Sequence, residues 1–248
     1  MARYFLEVAY KGSQYKGFQV QKNAHTIQGE IEKAGAVLQR QPLLLTGSSR
    51  TDGGVHALQN YFHFDYEGEL HKDFVYKMNA ILPPDIVVRQ LYTMPPEAHA
   101  RFDARSRAYR YVIYRHKDPF LQDRGYYFPY TLDMGLLREA AAILLEYNDF
   151  TAFSKKNTQI KTFICQLMQS QWTEEEGCLV YRVEANRFLR GMVRGLVGTM
   201  LKVGRGTISV QDFREIIESR DNSRVNFAAP GRGLYLVSVK YPDSYFTS

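Results

Sequence analysis

The order in which strand-like and helix-like segments follow one another constrains this chain more than any other feature. Residues 3–10 alternate, with Tyr4, Leu6, Val8 and Tyr10 on one face, and read as a strand. A helix follows from Thr26, a capping residue, with Ile27, Ile31, Ala34 and Leu38 behind it. Leu43–Thr46 reads as a short strand and residues 59–66 as a longer one, with Phe62, Phe64 and Tyr66 inward. A helix near 71–80, a break at Pro83-Pro84 and a strand from Ile86 to Tyr92 complete the first half. The pattern then restarts: a strand near 106–115, a helix near 133–146, strands near 162–172 and 179–186, helices near 188–203 and 209–219, and a last strand near 234–241. Strands in tandem, without strict β-α-β alternation, predict an α+β fold with mainly antiparallel sheets. The restart sets an expected boundary near residue 104, giving an N-terminal domain over 1–103 and a C-terminal domain over 104–248.

Charge narrows the function classes. The 248 residues carry a formal net charge of +6, and 18 of them are tyrosines, many placed among arginines. Bases stack on aromatic rings while Arg and Lys neutralise phosphates, so the combination suits RNA better than either signal alone. No run approaches transmembrane length, and the opening MARYFLEVAY lacks the apolar core of a signal peptide. Cys165 and Cys178 have neither Cys-x-x-Cys spacing nor a histidine pair beside them. A reducing cytosol is the expected compartment, with no membrane partner and no structural metal.

The most unusual local segment is Ser48-Ser49-Arg50-Thr51-Asp52-Gly53-Gly54-Val55-His56, lying between two expected strands. It has two readings. Asp-Gly between apolar runs is a hairpin-turn signal. Equally, a loop held between two strands can present a carboxylate rigidly, with glycines that admit a ligand and Arg50 near enough to hold the acid ionised. Asp52 and His56 have no Gly-x-Ser-x-Gly elbow or nucleophilic cysteine beside them, which speaks against a hydrolytic triad. The six histidines are scattered without metal-ligand spacing, and no phosphate-cradling or dinucleotide glycine loop is present. What remains is a single carboxylate in a basic setting.

Two clusters supply that setting. In the first, Arg105, Arg107, Tyr109 and Tyr111 share one face of a strand. The second is the stretch from Arg187 to Gly198. Read as a helix, it sets Leu189, Met192, Val193, Leu196 and Met200 on a core face, and Arg187, Arg190 and Arg194 opposite them with Gly191 and Gly198. Its glycines fit either close packing or a ligand lying on the helix. From Arg187 to Arg205 there is no acidic residue.

Taken in order, several segments resemble the TruA-type tRNA pseudouridine synthase family nearly end to end. They are the stretch from Tyr10 to Gln21, then Thr26-Ile27-Gln28-Gly29, Arg50 to His56, Leu82 to Ile86, Ala100 to Tyr111, Asn148 to Phe153, Met192-Val193-Arg194 and Gly233 to Leu236. Phe18 stands where that family usually has Trp, Ser49 where Gly usually precedes the Arg, and Gly53 where Ala is usual. The resemblance implies two α+β domains around a basic central cleft, a cytoplasmic homodimer and no metal or organic cofactor. It also implies an isomerase that converts uridine to pseudouridine at positions 38, 39 or 40 of the tRNA anticodon arm. By motif, Asp52 is the catalytic carboxylate, Tyr109 lies against the target base, Arg194 pairs with Asp52, Arg50 helps displace the base and Leu234 packs beside the uracil. Arg187, Arg190 and Arg107 are the expected RNA-binding basic face.

One carboxylate suffices for that isomerisation, as a nucleophile at C1′ or at C6 or as a base on C2′–H. The target must leave its stack, which costs a few kcal/mol and calls for an aromatic receiver. A non-catalytic RNA binder is the rival reading, and an RNA methyltransferase a weaker one for want of a glycine-rich cofactor loop. The binder has no use for a carboxylate that repels phosphate.

Overall fold

The computed structural model describes residues 1–155 and 162–246. Its contacts gather into two compact units, Met1–Arg105 with Tyr235–Ser248, and Ser106–Leu234.

In the first unit, β1 (Ala2–Tyr10) is the central strand. It pairs antiparallel with β3 (His56–Tyr66) on one side and β4 (Ile86–Met94) on the other. A short β2 (Thr46–Gly47) lies antiparallel on β3. The last strand, β9 (Leu234–Lys240), comes back to pair parallel with the start of β3, His56 opposite Tyr235. Helices α1 (Ile27–Gln39) and α2 (Phe74–Ile81) complete the unit. Phe5, Leu6, Phe18, Ile27, Ile31, Phe62 and Phe64 form its core. Thr26 caps α1 as expected, its hydroxyl accepting the Gly29 N–H at 3.3 Å; such caps are worth about 1 kcal/mol.

The strand expected at 43–46 is not one: β2 begins only at Thr46. Side chains of α1 take the backbone groups that a strand would pair. Glu32 accepts the Leu45 N–H at 3.0 Å and Gln28 donates to the Leu45 carbonyl at 2.8 Å. Leu43 and Leu45 still point into the core. They are buried by helix contacts rather than by a ladder.

The second unit is built on β5 (Ser106–Tyr114), which pairs antiparallel with β8 (Cys178–Ala185), itself antiparallel to β7 (Leu167–Glu175). A short β6 (Tyr126–Tyr127) runs parallel on the end of β5. Helices α3 (Met134–Ile143), α4 (Met192–Gly204) and α5 (Val210–Ser219) pack on one another, and α3 packs on β7. The mainly antiparallel α+β class matches the expectation.

In the second unit three boundaries moved, and in the first the strand expected from 59 starts at His56 and the helix expected from 71 at Phe74. β7 starts at Leu167 rather than 162, because 163–165 pair with 148–150 instead, through Phe150 N–H to the Phe163 carbonyl and Cys165 N–H to the Asn148 carbonyl. The helix expected over 133–146 ends at Ile143 in a 3-10 turn. The helix expected over 188–203 starts at Met192, because Gly191 caps it in the left-handed conformation, φ +75°. Arg187 and Arg190 therefore lie ahead of the helix, and the shared helical face expected for them with Arg194 does not exist. Glycines 195 and 198 are packing residues. A Cβ on Gly198 would lie 2.1 Å from the Asn226 carbonyl oxygen, and one on Gly195 2.8 Å from the Phe227 ring. Among the described residues, no helix is long and apolar enough to cross a membrane.

Candidate active site

The segment 48–55 connects β2 to β3, and its backbone is anchored at almost every step. The Ser48 N–H donates to the Tyr61 carbonyl at 2.7 Å, and the Thr51 carbonyl accepts the Phe18 N–H at 3.0 Å. Asp52 to Val55 closes a tight turn, Val55 N–H to the Asp52 carbonyl at 3.2 Å, with Gly54 at φ +79° in the position that needs positive φ. The turn reading holds: the turn exists, with Asp52 half-buried in it and Arg50 exposed two residues before.

The stretch after β1 lies along this loop. Gly12 donates its N–H to Nδ1 of His56 at 3.1 Å, and a Cβ there would fall 2.0 Å from the Val55 carbonyl oxygen. Tyr15 contributes its carbonyl to Gly54 N–H at 3.3 Å, while its phenol donates to Asp85 at 2.6 Å. Burial, with the Asp85 bond second, pushes the Tyr15 phenol well above its ordinary range, so it stays a neutral donor. His56 is buried and stacked on Tyr235, ring centroids 4.6 Å apart. Because its Nδ1 accepts, the neutral ring carries its proton on Nε2.

The departures in the family motifs are accommodated. Ser49 sits buried without positive φ, its hydroxyl 3.3 Å from that of Ser48. Phe18 stacks on Phe62 at 4.7 Å, over Gly47, where a Cβ would strike the Phe18 ring at 2.2 Å.

Behind the loop lies a buried polar group that sequence reading missed. Tyr10 Oη is 2.8 Å from Thr51 Oγ1, and Asn60 donates to both Tyr10 Oη at 3.2 Å and the Ser49 carbonyl at 3.0 Å. The signal available was the register of Asn60: an amide on the same strand face as Phe62 and Phe64, where a polar residue must find partners.

In the second unit, Tyr109 lies half-buried on β5, edge-on to Phe188 with centroids 5.1 Å apart. Arg107, two residues earlier, donates through Nη1 to the Asn186 carbonyl at 2.9 Å, so it ties β5 to the end of β8. Arg194, in the first turn of α4, donates through Nε to the Ala229 carbonyl at 2.6 Å. The neighbouring Pro230 carbonyl accepts the buried Tyr111 phenol at 2.8 Å, and Gly233 seats against the Tyr111 ring. Burial drives that phenol far above its ordinary range. Segment 229–234 thus joins Arg194 to β5 and delivers Leu234, buried, to the head of β9. Arg187 is half-buried and Arg190 exposed. No cluster of three or more His, Cys, Asp or Glu side chains suited to a metal occurs among the described residues.

The chain is a mainly antiparallel α+β protein that carries Asp52 in a tight turn of its first unit and half-buried Tyr109 and Arg194 in its second. The chain is a member of the tRNA pseudouridine synthase family. The sequence profile described as tRNA pseudouridine synthase matches residues 140–242. Relatives extend the match over the whole length. The chain is 47% identical to a Bacteroides fragilis protein named tRNA pseudouridine synthase A over 247 residues, 98% of each chain. It is 44% identical to the Parabacteroides distasonis protein of that name, covering 99% of this chain and 98% of the relative. A Staphylococcus aureus protein of the same name is 37% identical, with 96% and 90% covered.

Proposed function

We propose that this chain isomerises uridine to pseudouridine in tRNA, at one or more of positions 38, 39 and 40 of the anticodon stem-loop, with Asp52 as the catalytic carboxylate. The observation that carries the reading is the Asp52 turn: a carboxylate held by backbone hydrogen bonds on both sides, in a chain whose relatives bear the name of that activity. The reaction breaks N1–C1′, turns the uracil and joins C5 to C1′. The hydrogen on C5 leaves as a proton, so nothing is oxidised or hydrolysed. In this reading Tyr109 receives the displaced base, Arg194 supplies the counter-charge that keeps the acid ionised, Arg50 helps displace the base and Leu234 packs beside the uracil. Arg187, Arg190 and Arg107 serve the tRNA backbone, and the working form is a cytoplasmic homodimer that needs no added cofactor.

The test is tritium release from tRNA labelled at uridine C5, with pseudouridine mapping of the product. Wild type should release tritium and modify one or more of positions 38, 39 and 40, whereas Asp52→Asn should bind tRNA with unchanged affinity and release none. Wild-type release by Asp52→Asn would remove the catalytic assignment. Binding without any release by the wild type would make the chain a non-catalytic RNA binder.

A further inference from the structure

Asn60 is fully buried, and both ends of its amide are engaged. Oδ1 accepts the Ser48 hydroxyl at 3.1 Å and the Tyr61 N–H at 2.9 Å. Nδ2 donates to the Ser49 carbonyl at 3.0 Å and to Tyr10 Oη at 3.2 Å. This orientation is the one the neighbours permit, since a flipped amide would set its NH2 against the Tyr61 N–H and its oxygen against the Ser49 carbonyl. The Tyr10 phenol therefore accepts from Asn60, and its oxygen shares a second hydrogen bond with Thr51 Oγ1, 2.8 Å away, in which either hydroxyl can donate. A polar relay thus runs from β3 through Asn60 and β1 into the residue immediately before Asp52.

Every member is nearly inaccessible: Tyr10 is 4% exposed, Ser48 4%, Ser49 8% and Thr51 8%. In such an interior a satisfied polar network specifies one geometry more sharply than apolar packing does, because every displaced partner is left unpaired at a cost of desolvation. The other face of the same loop is held by backbone bonds from the 15–18 stretch. The side-chain network adds to these bonds at Ser49 and Thr51, the approach to Asp52.

We propose that Asn60 and Tyr10 are positioning residues for Asp52, acting through Thr51 and Ser49. The inference rests on Asp52 being the catalytic group. Catalysis by a positioned group is sensitive to displacement, and a shift of about 1 Å can cost on the order of a hundredfold. Loss of one hydroxyl in this relay is therefore read in turnover before it is read in tRNA affinity.

The experiment is a double-mutant cycle on Tyr10→Phe and Thr51→Val, measuring kcat by single-turnover tritium release and tRNA affinity by filter binding. Tyr10→Phe should lower kcat roughly ten- to a hundredfold, with tRNA Kd changed by less than about twofold. Thr51→Val should do the same, and the double variant should lose little more than either alone, since both remove one interaction. Thr51→Ser, which keeps the hydroxyl, should hold kcat near wild type. Additive losses, or a fall in kcat matched by equal losses in affinity and melting temperature, would overturn the proposal. If Tyr10→Phe does not fold, the Thr51→Ser and Thr51→Val pair decides alone, with equal kcat overturning it. Asp52→Asn run in parallel separates the two failures. Release by Asp52→Asn removes the catalytic reading, whereas an inactive Asp52→Asn beside a fully active Tyr10→Phe removes only the positioning.

Discussion

The imidazole Nδ1 of His56 accepts the backbone N–H of Gly12 at 3.1 Å, and at the same place the Val55 carbonyl closes over the bare Cα of Gly12. Two segments more than forty residues apart in sequence therefore meet with no space for a side chain between them. Gly12→Ala puts a methyl group 2.0 Å from that carbonyl, and backbone must move to admit it. The expected cost is ~1–3 kcal/mol of stability by urea denaturation. Because the moved backbone adjoins the Asp52 turn, turnover should fall further than tRNA affinity. A Gly12→Ala protein with wild-type stability and turnover would show that the contact is loose enough to admit a methyl group.

Arg190 and Arg107 make opposite predictions. Arg190 is exposed, so Arg190→Ala should leave the melting temperature unchanged. If the side chain meets a phosphate, the slope of log affinity against log salt becomes shallower by about one unit. Arg107 is tied to the Asn186 carbonyl. Arg107→Ala should lower the melting temperature as well, since it strands a carbonyl that was paired. An unchanged salt slope in Arg190→Ala would return that residue to ordinary surface.

Arg194 holds the Ala229 carbonyl through Nε, at 2.6 Å. A lysine keeps the charge but lacks the planar fork that lets one nitrogen hold a carbonyl while others face elsewhere. Arg194→Lys should therefore lower kcat about tenfold or more while tRNA Kd changes by less than about threefold, read by the tritium-release assay beside filter binding. A loss confined to affinity would make Arg194 a phosphate contact and end its assignment as counter-charge to the acid.

What was legible in the sequence was local. Thr26 announced α1 because the cap and the apolar stripe lie within a few residues, and the Asp52 turn announced itself through its glycines. The pairing of His56 with Tyr235 was not legible, since no local pattern links strands so far apart in sequence. Asn60 was passed over because its partners, Tyr10 and the 48–51 loop, declare themselves only in space. The stretch before α4 misled for a physical reason: Leu189 and Met192 keep helical spacing, but Gly191 takes the left-handed conformation and starts the helix afresh. The same glycine-rich run offered two explanations, and packing against 225–227 accounts for Gly195 and Gly198.

His63 gives the fold a sensitivity to mild acid. It is buried against Phe5 and His99, and its Nδ1 accepts the Ala100 N–H at 3.2 Å. Burial holds its pKa down to about 4 from 6.5; the charges of His99 and Arg3 push the same way, while Asp65 and Asp103 oppose. Between pH 6.5 and about 4 the unfolded chain takes up a proton that the folded chain refuses, so stability falls as pH falls through that window and this contribution levels off below it. The loss is bounded at roughly 3 kcal/mol, since each tenfold difference in proton affinity between the two states is worth about 1.4 kcal/mol. His99, whose pKa is also lowered by burial, adds a smaller loss of the same sign. His63→Asn keeps an acceptor for the Ala100 N–H and cannot titrate, so urea midpoints measured from about pH 7 to about pH 4 should fall less steeply than in wild type. An identical slope in the variant would assign the acid sensitivity to another group.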